Sequence, residues 1–140
     1  MPELETSVVV DATAGEVWEA FTDAHVFATW LWPPSFGTIA EIHAQQGGSW
    51  SARSTSVGIG VSGVYSELEE PRALRSTWVW DGEPEVTDIS VRAEPESSGA
   101  TRVTVTHAGF ADDEARDDHV QGWTDCLARL VDRFHPGEHV

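Results

Sequence analysis

Thr101-Arg102-Val103-Thr104-Val105-Thr106-His107-Ala108-Gly109-Phe110, then an acidic stretch, then Asp118-His119-Val120-Gln121-Gly122-Trp123 is the part of the chain that decides the fold. The first segment alternates β-branched and other residues, as a strand does, and ends in a His. Gly109 turns the chain. Asp112 or Asp113 then caps a long helix whose apolar positions are Trp123, Cys126, Leu127, Leu130, Val131 and Phe134. His135-Pro136-Gly137 ends it. A helix with one apolar face, following a strand of this kind, lies across the sheet to which the strand belongs.

Upstream, Leu4 to Val10 reads as a strand. Thr13 with Glu16 has capping-box spacing, and Val17, Trp18 and Phe21 recur at helical spacing, so a helix is expected over Ala14–Thr22. Asp23 caps a second short helix carrying His25, Val26, Phe27 and Trp30, which stops before Pro33-Pro34. From Gly37 the period is two. Strands are expected at Gly37–Gln45, Ser49–Thr55, Val57–Leu68, Arg72–Trp80, Val86–Ala93 and Thr101–His107, joined by turns. The expected class is α+β, with a curved antiparallel sheet wrapped around the C-terminal helix. No linker or repeat divides the chain, so residues 1–140 read as one domain.

The net charge of −16, from 8 basic and 24 acidic residues, repels phosphate backbones and anionic membranes. Arg72 and Arg75 stand together, but Glu69 and Glu70 precede them. No nucleic-acid partner is expected. No apolar run approaches the ~20 residues that span a bilayer, so no membrane insertion is expected either. A single cysteine, Cys126, and an acidic N-terminus without an apolar core fit a cytoplasmic protein.

Gly58-Ile59-Gly60-Val61-Ser62-Gly63 has the spacing of a dinucleotide loop, but Val64-Tyr65-Ser66-Glu67-Leu68 continues it as strand, where such a loop opens a helix. There is no nucleophile elbow, and Cys126 on the apolar helix face reads as a small hydrophobe. Asp112-Asp113-Glu114 suit a helix start rather than catalysis. Seven tryptophans are many for this length. Trp18 reads as core. Trp30, Trp50, Trp78, Trp80 and Trp123, with Val61, Val105 and Phe110, are expected to line an aromatic cavity between sheet and helix.

His107 shares a strand face with Val103 and Val105, and His119 shares a helix face with Trp123 four residues on, so both imidazoles should point into that cavity. Each is a candidate general acid/base, a hydrogen bond to a ligand, or a structural residue. A metal would need a third ligand, and His43 on a distant strand is the one candidate, so no metal and no other cofactor is expected. Gly122 beside them is expected to leave room for the sheet or for a ligand.

These residues resemble the SRPBCC superfamily, the START-like or Bet v-like helix-grip fold, and within it the branch of activator of heat-shock-protein-ninety ATPase homologue-like proteins. The resemblance rests on Asp11-Ala12-Thr13-Ala14-Gly15-Glu16-Val17-Trp18, Trp30, Gly63-Val64-Tyr65-Ser66-Glu67, Pro71-Arg72-Ala73-Leu74, Thr77-Trp78-Val79-Trp80, and the two segments quoted first. It implies a hydrophobic cavity between sheet and C-terminal helix. The expected partner is a small hydrophobic ligand, aromatic, lipid-like or polyketide-like, bound by a monomer or homodimer. The alternatives are a polyketide cyclase or hydrolase using His107 or His119, and a chaperone co-factor-like or stress-response module presenting Trp32 and Phe36 as an exposed patch.

Overall fold

The computed structural model describes residues 2–134; the expected helix stop at His135-Pro136-Gly137 lies outside them. The elements run β1 (Glu3–Val10), α1 (Ala14–Thr22), α2 (Ala24–Trp30), a 3-10 turn at Pro34–Phe36, then β2 (Ile39–Ile42), β3 (Ser49–Ser54), β4 (Ile59–Glu69), β5 (Ala73–Trp80), β6 (Thr87–Ser97), β7 (Ala100–Ala108) and α3 (Asp113–Arg133). One seven-stranded sheet has the order β1-β7-β6-β5-β4-β3-β2, every pair antiparallel. The expected class and the two short helices after the first strand are therefore present.

Local chemistry fixes the helix starts. Thr13 accepts from the Glu16 amide while the Glu16 carboxylate accepts from the Thr13 amide, a complete capping box. Asp23 caps α2 through the Val26 amide, and Asp112 caps α3 through the Ala115 amide. In β7 the alternation is strict, and Thr101, Val103, Val105 and His107 all face inward. α3 turns Trp123, Cys126, Leu127 and Leu130 into the core. Arg129 donates to the carbonyls of Trp30 and Leu31, and the Cys126 thiol donates to Leu31 as well, which ties α3 to the end of α2.

The glycine-rich run is a turn followed by β4, not a nucleotide loop. Gly63 is required by packing. A Cβ there would run into the Thr77 carbonyl and lie 2.5 Å from Trp50 Nε1. Gly63→Ala is therefore expected to cost about 2 kcal/mol, read as a lowered Tm in a thermal melt.

Trp18, expected in the core, is only half-buried, because it packs from the outer edge of α1. Trp32 and Phe36, expected as an exposed patch, are buried and half-buried respectively. They fold back over the sheet–helix edge, since α2 ends at Trp30 and the chain turns through Pro33 and Pro34.

Candidate functional site

The middle of the grip is closed. Phe21, Phe27, Trp50, Tyr65, Leu74, Ile89, Trp78 and Trp123 surround a void of only about 20 Å³, room for one water. Trp30 belongs to this closed part. Its indole donates to the Ala20 carbonyl, and its ring packs edge-on against Phe21 and Phe27. Trp50 donates to Ser76 Oγ behind Trp78. Val61 and Val105 are fully buried and line neither of the two grooves described below. These four residues, expected at a ligand, lie behind the site because an inward-facing side chain meets a neighbour wherever the core is filled.

Open volume on the α3 side of the grip lies along the helix between Asp118 and Arg129. An aromatic groove of about 470 Å³ is lined by Trp32, Phe36, Trp78, Trp80 and Trp123, with His119, Gly122 and Cys126. Asp118, Asp125 and Arg129 complete its lining, and Arg129 is already engaged by backbone carbonyls. Trp32 and Trp80 are nearly parallel, with an interplanar angle of 14° and centroids 6.4 Å apart. A second groove, of about 360 Å³, lies on the other side of Trp80 and is lined by Phe110, Thr87 and the carboxylates Asp81, Glu83, Glu85 and Asp118. Trp78, Trp80, Asp118 and His119 line both. Gly122 is exposed at the mouth of the aromatic groove, and a Cβ built on it meets nothing within 4 Å, so the sheet does not close over it.

The two imidazoles do come together, with centroids 5.1 Å apart. Their protonation follows from their partners. An indole N–H can only donate. Trp123 Nε1 lies 2.9 Å from His107 Nδ1, so that nitrogen carries the lone pair. His107 Nε2 therefore carries the proton and donates to Thr87 Oγ1 at 2.7 Å, and the Thr87 hydroxyl donates onward to the Trp78 carbonyl. In the same way Trp80 Nε1 donates to His119 Nε2 at 3.0 Å, and His119 Nδ1–H donates to the Ala115 carbonyl at 2.8 Å. His107 is fully buried; burial, then the neighbouring His119, pushes its pKa down to about 3. All four ring nitrogens are occupied, so in this arrangement neither His offers a substrate a free lone pair. Burial pushes the Cys126 thiol up to about 11, against thiolate chemistry. His43 is exposed on the far face, in a shallow groove with Glu41 and Arg53, away from both other imidazoles. Among the described residues no cluster of His, Cys, Asp and Glu could hold a metal ion.

The model of the family described as activator of Hsp90 ATPase homolog 1-like protein matches residues 11–135. The chain belongs to this family. It thereby falls in the SRPBCC superfamily. No curated protein matches the sequence significantly. Among solved structures, a protein of Chromobacterium violaceum is 24% identical with a TM-score of 0.80, covering 96% of this chain and 97% of that one. An HSP90 activator from Plasmodium falciparum is 18% identical with a TM-score of 0.76, covering 91% and 92%. DynU16, a protein in the dynemicin biosynthetic locus, is 21% identical with a TM-score of 0.82 over 96% of this chain, which spans 48% of that protein. At these identities the likeness establishes the fold.

Of the residues expected at a ligand, Trp78, Trp80, Phe110, His119 and Trp123 line the two grooves, whereas His107, like Trp30, Trp50, Val61 and Val105, is buried behind them. Sequence reasoning missed Trp32 and Phe36 as groove walls. The signal was Pro33-Pro34, which forces a reversal just after Trp32.

Proposed function

We propose that the aromatic groove binds a small, flat hydrophobic ligand, aromatic or polyketide-like. The observation that supports this is the convergence of Trp32, Trp78, Trp80 and Trp123 on one solvent-open groove of drug-like volume. Of the four, Trp80 is half-buried and leaves indole surface against water, whose burial is worth roughly 25 cal/mol per Å². A flat ligand recovers that and stacks on the same faces. The fold shared with a protein of a natural-product locus supports a ligand of that class. The occupied nitrogens of His107 and His119 favour holding a ligand over transforming it.

Titration with anilinonaphthalene sulfonate and with anthraquinone is expected to quench tryptophan fluorescence saturably at micromolar Kd, on the order of −8 kcal/mol. Trp32→Ala removes one wall without touching the core behind Trp78 and should weaken binding about tenfold. An absence of saturable quenching, or an unchanged Kd in that variant, would exclude the groove as the site.

A further inference from the structure

Resting on the groove reading above, we propose that His119 sets the length of ligand the site accepts, by holding the Trp80 indole as a wall between the two grooves. The aromatic groove and the second groove share Trp78, Trp80, Asp118 and His119 in their linings, so these side chains stand at the boundary between them. Across the gap between β5 and α3 the wall is one hydrogen bond, from Trp80 Nε1 to His119 Nε2.

Trp80 needs that bond. It is the last residue of β5, and pairing with β6 has already ended at Trp78 opposite Thr87. No neighbouring strand confines its ring on that side. It rests on Trp32 and, edge-on, on Trp78, and is half-buried. His119 is aimed in advance. Its Nδ1–H is spent on the Ala115 carbonyl one turn back, which leaves the lone pair on Nε2 facing the indole. A side chain here without an acceptor leaves the Trp80 N–H with water as its better partner, and the ring turns out of the gap. Grooves of about 470 and about 360 Å³ would then run together.

The intact protein is thus built for a compact ligand, and a long tail is turned away at Trp80. The far groove carries Asp81, Glu83 and Glu85, so a tail that did pass would end best in a hydrogen-bond donor. His119 acts here as a positioning residue, through Trp80.

The test uses naphthalenes bearing ω-hydroxyalkyl chains of two and ten carbons, titrated against wild type, His119→Ala and His119→Gln. Gln restores an acceptor at similar reach. In wild type and His119→Gln, the longer chain is expected to improve Kd less than threefold over the shorter; in His119→Ala, at least tenfold over the shorter, each ratio being taken within one protein because His119 also lines the aromatic groove. In ¹⁵N spectra the Trp80 indole N–H should exchange with water at least tenfold faster in His119→Ala alone. If short and long probes both bind wild type with the full chain-length gain, or if His119→Ala changes neither the gain nor the exchange, the wall is wrong and the groove reading stands. If no probe binds any of the three proteins, the groove reading fails and takes this proposal with it.

Discussion

His107→Leu is expected to destabilise the fold by about 3 kcal/mol and to remove an acid-sensitive part of its stability. The substitution keeps an apolar body in the core but deletes both nitrogens. Trp123 Nε1, buried, then has no acceptor, and Thr87 loses the donor that faces it. An orphaned buried donor costs roughly 1–3 kcal/mol, and the changed shape adds to it. The pH dependence is the sharper signature. The unfolded chain takes up a proton on this imidazole near the ordinary 6.5, while the folded protein resists until about 3. Between those values the unfolded state holds the extra proton, so stability fully present above pH 6.5 is lost as pH falls toward 3. Urea titrations at pH 7.5 and pH 4.5 measure it. Wild type should lose at least 1 kcal/mol more than His107→Leu over that interval. The chain's many carboxylates lose repulsion on acidification in both proteins, so the comparison cancels that effect. Equal losses would mean that His107 is not held neutral by the core.

Periodicity alone governs which way a residue faces, so the inward direction of His107 and His119 is legible in the sequence, although His107 lines neither groove. In β7 every second residue is inward, and on α3 positions four apart share a face. The bounds of α1 were legible for a similar reason: Thr13 and Glu16 satisfy each other locally, with no help from the rest of the fold. What the two imidazoles do was not legible. Their tautomers are set by Trp123 from the same helix as His119 and by Trp80 from a strand 39 residues away, and pairings across elements leave no mark on spacing. The same limit applies to Trp30, Val61 and Val105. Period says that they face in; only packing says that the interior is filled there and that the volume opens beside Trp80 instead.

Gly122→Leu is expected to separate folding from binding. Gly in a helix interior costs about 1 kcal/mol relative to Ala, and Leu is among the better helix formers, so α3 should gain several tenths of a kcal/mol. Nothing stands within 4 Å of the new Cβ, so no clash offsets that gain. The side chain stands at the mouth of the aromatic groove, one position before Trp123 and three after His119. Tm should therefore hold or rise by a few degrees, while affinity for the aromatic probes falls at least tenfold. Thermal melts and fluorescence titrations on one preparation read both. The opposite pattern is equally decisive. A fall in Tm would mean that the sheet does close over Gly122, and unchanged affinity would move the ligand away from this end of the helix.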